Sequence, residues 1–267
     1  MNFEKQLLKR AGKAIHEFKM IREGDRVAVG VSGGKDSLAM VEALRLLRRR
    51  SPVRFELLAF TVAQGKFLRP VDSLKGFFEE REIPWTYYHD DASFQLMEEQ
   101  PDHGCDMCSR YRRRAVYEIA SGLEANVVAL GHTADDLCES LLRNTLYTGR
   151  LGALPAVTYS RSRDFRLIRP LVYVSEEVTA GYCEDKGIGI TPCACSFKTG
   201  TVRDSMREFL TQVRNSNPHA MENMLAAMGR IDTDRLLDAR FLDFEDGDRV
   251  HLPPVNDPLP ILTEELV

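Results

Sequence analysis

The sequence predicts an α/β fold built on a doubly wound parallel sheet. Short apolar segments, such as RVAVGVS at 26–32 and ANVVALGH at 125–132, alternate with amphipathic segments. Those amphipathic segments have the length of about 10 to 15 residues that is typical of helices joining parallel strands. Helices of this kind cover both faces of the sheet, and ligands bind beyond the carboxyl ends of the strands. Loops at that edge are therefore the first candidates for a functional site.

The individual elements follow from the spacing of apolar residues. Residues 4–21 place apolar side chains three and four positions apart, which predicts an amphipathic helix ahead of the sheet. In chain order we then expect strands at 26–32, 55–62, 84–89 and 125–132, alternating with helices at 36–50, 71–83, 108–123 and 134–147. Residues 148–171 are rich in glycine, proline and arginine and predict a loop or hairpin. Helices are expected again at 175–187, 201–215 and 218–231, with an irregular segment at 188–200.

Composition narrows the class of protein. The chain has 267 residues and is 43% hydrophobic, enough for a sizeable core. No apolar run approaches the roughly 18 residues that a membrane span requires, and the charged N-terminal segment does not resemble a signal peptide. We therefore expect a cytoplasmic protein without a membrane partner. Six cysteines in such a chain favour metal binding or redox chemistry over disulfides.

Charge is distributed unevenly along the chain. The net charge is −4, but ten of the 40 acidic residues and only three of the 36 Lys and Arg follow residue 230, which leaves 30 acidic and 33 basic residues before it. Between Arg143 and Arg169 six arginines accompany a single acid, Asp164. This segment predicts a local basic surface in spite of the negative net charge.

A glycine-rich turn lies between the first predicted strand of the sheet and the helix after it. The turn is Ser32-Gly33-Gly34-Lys35-Asp36-Ser37, called the glycine turn below. It is not a Walker A motif, which needs Ser or Thr after the lysine, and it is not a G-x-G-x-x-G fingerprint. Two-glycine turns are most often plain turns with a polar helix cap. Here the glycines, hydroxyls and lysine at a helix N-terminus favour the binding of phosphate.

A second motif, LGHTADD, follows the predicted strand at 125–132. Asp135 and Asp136 open a helix at the same edge of the sheet as the glycine turn. Acids at a helix start are most often capping residues that complement the helix dipole. They also supply the oxygen ligands that Mg²⁺ prefers.

The cysteines form two distant pairs. Cys105 and Cys108 form a C-x-x-C motif, which alone is compatible with a redox pair, half of a zinc site or a chance spacing. Cys193 and Cys195 form the second pair, so three or four thiolates could enclose zinc or an iron–sulfur cluster. The remaining two, Cys138 and Cys183, are expected to be buried as small apolar side chains.

These motifs together resemble a known family. The N-terminal helix segment, SGGKDS, CDMCSRYRRR, GHTADD, GALP, IRPL and PCAC occur in order between residues 2 and 244. The series resembles the bacterial tRNA 2-thiocytidine synthetases, which are N-type ATP pyrophosphatases with a PP-loop. The resemblance implies an adenine nucleotide alpha hydrolase-like fold of the HUP type. It also implies that the C2 oxygen of cytidine 32 in the anticodon loop is adenylated and then exchanged for sulfur.

The resemblance also implies roles for individual residues. ATP would bind to Ser32, Gly33, Gly34, Lys35, Asp36 and Ser37. Catalysis would depend on Lys35, Asp36, Asp135 and Asp136, with Mg²⁺ near the three acids. A [4Fe–4S] cluster would be held by Cys105, Cys108 and Cys193, with one iron left open for sulfide. The implied partners are tRNA, a cysteine desulfurase as sulfur donor and a second copy in a homodimer.

Two positions depart from the family pattern. The family has Pro-Cys-x-x-Cys where this chain has PCAC, so Cys195 is either an alternative to Cys193 or a fourth ligand. The family has a second histidine where this chain has Thr133 after His132. The target base is therefore left open by the sequence. A 2-thiouridine synthetase, a zinc-stapled RNA-binding protein and a redox protein using the C-x-x-C pair are the alternative functions.

Arginines are the candidate contacts to tRNA phosphates. They are Arg110, Arg112, Arg113 and Arg114 in the C-x-x-C segment and the arginines between Arg143 and Arg169. The alternative for each is an ordinary solvated position on a helix face.

Four regions are expected along the chain. They are an N-terminal helix at 1–24, a PP-loop nucleotide-binding α/β core at 25–174, a helical C-terminal part with the second cysteine pair at 175–244, and a mobile acidic, proline-rich tail at 245–267.

Overall fold

The computed structural model describes residues 2–63, 72–99, 105–160, 165–191 and 202–238, and only the backbone at 72, 73, 94, 96–98, 105–109, 112 and 234. The predicted tail at 245–267 and both Cys193 and Cys195 lie outside these ranges. The strands are β1 (Asp25–Gly30), β2 (Phe55–Ala63), β3 (Trp85–His89), β4 (Val127–Leu130), β5 (Val157–Tyr159) and β6 (Arg166–Ile168). The helices are α1 (Phe3–Glu17), α2 (Lys35–Arg48), α3 (Asp72–Glu79), α4 (Asp91–Glu99), α5 (Cys105–Gly122), α6 (Ala134–Thr148), α7 (Glu176–Asp185), α8 (Val202–Ser216) and α9 (Ala220–Met228), followed by a 3-10 turn at Thr233–Arg235.

The six strands form one sheet in the order β3-β2-β1-β4-β6-β5. All neighbouring pairs are parallel except β5 and β6, which are antiparallel. The predicted doubly wound α/β fold is thus confirmed, and the predicted loop or hairpin region contains the antiparallel edge strand. Chain order reverses between β1 and β4, so the loops after these two strands flank the crevice where such folds bind ligands.

Apolar residues cover both faces of the sheet, as the alternating elements predicted. On one face Val27 and Val29 of β1 pack with buried residues of α1, α2 and α7. On the other face Ala28 and Val128 pack with a smaller cluster that includes buried residues of α5. Successive residues of a strand point to opposite faces, which is why β1 contributes to both clusters.

The C-terminal helices pack on α6 through a third, smaller cluster. Its buried members are Cys138, Leu210 and Met221. Cys183 is buried in the main core, so both cysteines are buried as predicted. Burial raises the pKa of the Cys138 thiol to about 12 and that of the Cys183 thiol to about 11.

A few element boundaries differ from the prediction. Helices α1 and α3 each end four residues earlier than expected. Soon after each end, Lys19 and Glu82 adopt left-handed φ angles of 48° and 52°, which a continuing helix does not allow. Helix α4 was not anticipated from the sequence. No helix in the described ranges is both long enough and apolar enough to cross a membrane.

Candidate functional site

The glycine turn joins β1 to α2 at the carboxyl edge of the sheet, as the sequence predicted. Gly33 has a left-handed φ of 79°, and a Cβ placed there would lie 2.6 Å from the carbonyl oxygen of Thr191. Gly34 is the N-cap of α2 and, as a glycine, has no side chain with which to cap the helix. The first N–H groups of α2 begin at this turn, and N–H groups at a helix N-terminus bind phosphate groups in other proteins.

The two serines of the turn bind to the turn itself. Ser37 Oγ donates to the Gly34 carbonyl oxygen at 2.9 Å and accepts from the Ser32 backbone N–H at 3.2 Å. Ser32 Oγ lies 3.4 Å from the Gly34 nitrogen, which donates to it. These bonds fix the shape of the turn, whose charged groups are Lys35 and Asp36.

Lys35 lies between two carboxylates. Its Nζ is 3.1 Å from Asp36 Oδ2 and 3.0 Å from Glu176 Oε2. Burial opposes the charged ammonium, but Asp36 and Glu176 outweigh burial and the pKa of Lys35 lies above its ordinary value. The pKa of Asp36 lies above its ordinary value because burial disfavours the charged carboxylate. The hydrogen bonds from Thr179 and Lys35 oppose this rise only in part.

The two acids of LGHTADD lie beside the glycine turn. A Cβ on Gly131 would be 3.1 Å from Ser37 Cα, so the turns after β4 and β1 are in close contact. Asp136 completes a capping box with Thr133, whose backbone N–H donates to Asp136 Oδ2 at 2.8 Å. Asp135 Oδ2 accepts from the backbone N–H of Glu176 at 2.8 Å and so caps α7. The structure therefore brings all six residues of the turn together with both acids.

Arginines of α8 cover these acids. Arg203 donates to Asp136 and, at 2.8 Å, to Glu139. Arg207 donates to Glu139 and to Glu176, each at 2.8 Å, and Arg214 donates to Asp135 at 2.8 Å. An unbroken series of ion pairs therefore connects the glycine turn to α8.

Sequence reasoning missed Glu176, Thr179, Glu139 and the arginines of α8. The prediction assigned a helix to residues 175–187 and gave the acids at its start no part in the site. The available signal was positional, because α7 follows β6 and starts at the same edge of the sheet as the glycine turn. The arginines of α8 repeat at intervals of four and seven, which places them on one helix face.

The predicted cluster ligands are described only in part. Cys105 and Cys108 occupy the first turn of α5, whereas Cys193 and Cys195 lie outside the described residues. Thr191, two residues before Cys193, donates its backbone N–H to the Gly33 carbonyl oxygen at 2.8 Å. Among the described residues no group of three or more His, Cys, Asp or Glu side chains is arranged to hold a metal ion.

The predicted tRNA-binding arginines divide into two groups. The prediction is wrong for Arg166 and Arg169, which are buried. Arg166 pairs with Asp25, and Arg169 donates to the Pro155 carbonyl oxygen at 2.6 Å. Both guanidinium groups are held inside the protein by these bonds. The other group is exposed and includes Arg110, Arg114, Arg143 and Arg150.

Arg113 is also exposed. Arg161 and Arg163 lie outside the described residues, as does the side chain of Arg112.

Comparison with protein-family models matches residues 3–214 to the PP-loop domain family. The chain is 36% identical over 244 residues to the tRNA-cytidine(32) 2-sulfurtransferase of Syntrophotalea carbinolica, covering 90% of this chain and 94% of that one. It is 33% identical over 269 residues to the protein of the same name from Delftia acidovorans, covering 100% of this chain and 86% of that one.

Among solved structures, the fold is similar to that of the U34-tRNA thiolase NcsA from Methanococcus maripaludis, determined with its [4Fe-4S] cluster. The TM-score is 0.68 at 19% identity, covering 85% of this chain and 78% of that one. The identity to the two sulfurtransferases extends over nearly the whole chain. The chain therefore belongs to the PP-loop family and, within it, to the family of tRNA-cytidine(32) 2-sulfurtransferases.

Proposed function

We propose that this protein catalyses the ATP-dependent 2-thiolation of cytidine 32 in tRNA. The observation that carries the proposal, beyond family membership, is the bond from the Thr191 N–H to the Gly33 carbonyl. Cys193 is the second residue after Thr191 in the sequence, so covalent geometry keeps the two Cα atoms within about 7.6 Å of each other. The chain thus leads from a contact with the turn that would bind ATP directly into the second cysteine pair, which suits a reaction that activates a base and then delivers sulfur to it.

The glycine turn would perform the activation. In this step the C2 oxygen of the cytidine attacks the α-phosphate of ATP, the bond to the β-phosphate breaks, and pyrophosphate leaves. The N–H groups at the start of α2 and the ammonium of Lys35 would stabilise the added negative charge in the transition state. The result is an O-adenylated base whose leaving group is AMP.

Mg²⁺ would assist this step, held by ATP phosphate oxygens together with the carboxylates near the glycine turn. Asp36 is the nearest of them in sequence to the turn, and Asp135 and Asp136 lie beside it. Sites with one or two carboxylates plus substrate phosphates are usual for Mg²⁺. Since the described carboxylates are paired with arginine, lysine or backbone N–H groups, we propose that the ion arrives with the nucleotide.

The cysteine donor set fits an iron–sulfur cluster. Cys105 and Cys108 stand one helical turn apart at the start of α5, where the positive end of the helix dipole favours thiolate anions. Cys193, or Cys195 in its place, would supply the third thiolate. A [4Fe–4S] cluster bound there would supply the sulfur atom that replaces the C2 oxygen, and a cysteine desulfurase would restore it.

The remaining parts of the proposal concern partners and location. Exposed arginines of α5 and α6, among them Arg114 and Arg143, would contact tRNA phosphates. A base paired or stacked in the tRNA must be extruded to reach the glycine turn. We further propose that the protein works in the cytoplasm as a homodimer, and that residues 1–24, 25–174, 175–244 and 245–267 are its four regions.

The proposal is tested with protein purified anaerobically and incubated with ATP, Mg²⁺, sulfide and a tRNA transcript that carries C32. Nucleoside mass spectrometry should detect 2-thiocytidine, with AMP released in equal amount. Lys35→Ala should lower the rate at least about 100-fold, the usual effect of removing a group that stabilises transition-state charge. Lys13→Ala, an exposed lysine on α1, should leave the rate unchanged.

The same assay distinguishes the alternatives. Thiolation of a uridine with C32 unmodified would replace the proposed substrate by that of a 2-thiouridine synthetase. A protein that contains zinc and no iron, and that releases no AMP, would indicate an RNA-binding function without catalysis.

A further inference from the structure

A second carboxylate, from outside the glycine turn, pairs with Lys35 in this structure. Glu176 Oε2 lies 3.0 Å from Lys35 Nζ, and the other oxygen, Oε1, accepts from Arg207 at 2.8 Å. We propose that Glu176 is an internal counter-anion that binds Lys35 in the nucleotide-free protein and is displaced from it by a phosphate of ATP. This inference rests on the proposed function, because it assumes that ATP binds at the glycine turn.

The charges around Lys35 require one carboxylate to leave. Two carboxylates, Asp36 and Glu176, surround one ammonium group before any nucleotide is present. A phosphate group brought to Lys35 adds more negative charge within a few ångströms of both. Like charges at that distance repel strongly in a partly buried site. The phosphate can pair closely with Lys35 only if one of the two carboxylates moves away.

Glu176 is the carboxylate that can move. Asp36 is adjacent to Lys35 in the chain and accepts a hydrogen bond from the Thr179 hydroxyl, so it is held on two sides. Glu176 reaches Lys35 only through its flexible side chain, because its backbone is fixed at the start of α7 by Asp135. When it leaves Lys35 it keeps Arg207, and a carboxylate that keeps one partner avoids the large cost of an unpaired charge.

The pair is also accessible to a ligand. The side chains of Lys35 and Glu176 are 28% and 27% exposed, and that of Arg207 is 50% exposed. A buried structural ion pair would have none of this access. Glu139, the other partner of Arg207, is only 5% exposed. Lys35 and Glu176 are thus open enough for a phosphate group to approach them, whereas Glu139 is not.

The experiment measures the binding of α,β-methylene ATP with MgCl₂ by isothermal titration calorimetry, using the full-length protein. Glu176→Gln keeps the shape of the side chain and removes the competing charge, so the analogue should bind at least about fivefold more tightly, equivalent to about 1 kcal/mol. Glu177→Gln is the matched control, because Glu177 is exposed on the same turn of α7 and its replacement changes the net charge equally. Its dissociation constant should stay within about twofold of the wild type.

Arg207→Gln supplies a second test, in which the affinity for the analogue should change in the opposite direction. Without Arg207 the Glu176 carboxylate has only Lys35 as a cationic partner within the part of the chain that the structure describes, and it should compete more strongly with the nucleotide. The analogue should therefore bind about fivefold more weakly to Arg207→Gln. In the double variant the effect of Arg207→Gln should disappear, because the carboxylate through which it acts has been removed.

Several outcomes would overturn the inference. If Glu176→Gln binds the analogue equally or more weakly while the wild type binds it, Glu176 only supports the site and the proposed function is unaffected. If Glu176→Gln is poorly folded, as judged by its thermal unfolding midpoint, Arg207→Gln decides, and unchanged or tighter binding by that variant rejects the displacement. If the wild type binds neither the analogue nor inorganic pyrophosphate, the proposed function itself fails.

Discussion

Replacing Gly33 by alanine tests the link between the glycine turn and the segment that leads to Cys193. The new Cβ would lie 2.6 Å from the Thr191 carbonyl oxygen and 3.2 Å from its Cβ, at a residue whose φ is 79°. A left-handed non-glycine residue costs about 1 to 2 kcal/mol. Relief of the clash requires the Thr191 backbone to move, which sacrifices its 2.8 Å hydrogen bond to Gly33, worth about 1 kcal/mol. The free energy of unfolding should then fall by about 2 to 3 kcal/mol.

Urea denaturation and binding of α,β-methylene ATP would measure the effect. Gly34→Ala is the control, since the nearest atom to its Cβ is Ser32 Oγ at an ordinary 3.5 Å and its φ is −80°. As an N-cap substitution, Gly34→Ala should cost at most about 1 kcal/mol. If Gly33→Ala were no less stable than Gly34→Ala and bound the analogue equally well, the contact with Thr191 would not constrain the turn.

Three further predictions concern a buried ion pair, a buried thiol and two exposed arginines. Asp25→Asn leaves the Arg166 guanidinium buried without its carboxylate and should lower the free energy of unfolding by about 3 to 5 kcal/mol, measured by urea denaturation. Burial raises the pKa of Cys183 from 9.0 to about 11, so iodoacetamide at pH 8 should leave this thiol unlabelled in the native protein and label it after unfolding, as read by peptide mass spectrometry. Replacing both Arg143 and Arg150 by glutamine should weaken tRNA binding and reduce the salt dependence of log Kd by about one for each phosphate that the protein ceases to neutralise.

Each of these three predictions has a control or a second measurement that distinguishes the expected effect from a nonspecific one. Glu56 pairs with Arg26 at the surface, so Glu56→Gln should change stability by less than about 1 kcal/mol. If Glu56→Gln destabilised the protein as much as Asp25→Asn does, burial of the Arg166–Asp25 pair would not explain the effect. The free energy of unfolding should fall as the pH is raised above the ordinary thiol pKa of 9.0, because Cys183 ionises at a lower pH in the unfolded protein than in the folded one. Labelling of Cys183 in the native protein at pH 8 would contradict the prediction, because it would show that the thiol is accessible in the folded state. Arg54→Gln, at the opposite edge of the sheet, should leave tRNA affinity unchanged, whereas an equal weakening would indicate nonspecific attraction.

Sequence patterns predicted the elements that depend on local spacing. The alternation of β1 to β4 with helices other than α4, the glycine turn between β1 and α2, and the burial of Cys138 all follow from periodicity or composition within one segment. The sheet edge shared by the glycine turn and LGHTADD follows from the general rule for parallel sheets. These features need no knowledge of which distant side chains meet.

Contacts between distant segments were not predictable in the same way. Lys35 and Glu176 are 141 residues apart, and Arg203 is 67 residues from Asp136. An arginine in a loop carries no local sign of whether it will be exposed, like Arg150, or buried against a carbonyl oxygen, like Arg169. Register and packing decide such cases, and they depend on the whole fold.

Asp136 shows why a single pattern supported two interpretations. From the sequence, Asp136 was either a helix-capping residue or a ligand for Mg²⁺. Capping, however, uses only one oxygen of the carboxylate. Oδ2 accepts from the Thr133 N–H at 2.8 Å, while Oδ1 accepts from Arg203. Thr133, which stands where the family has a second histidine, also places its hydroxyl 3.1 Å from Oδ2. The cap thus fixes the orientation of the carboxylate and leaves Oδ1 directed toward α8, where it accepts from Arg203.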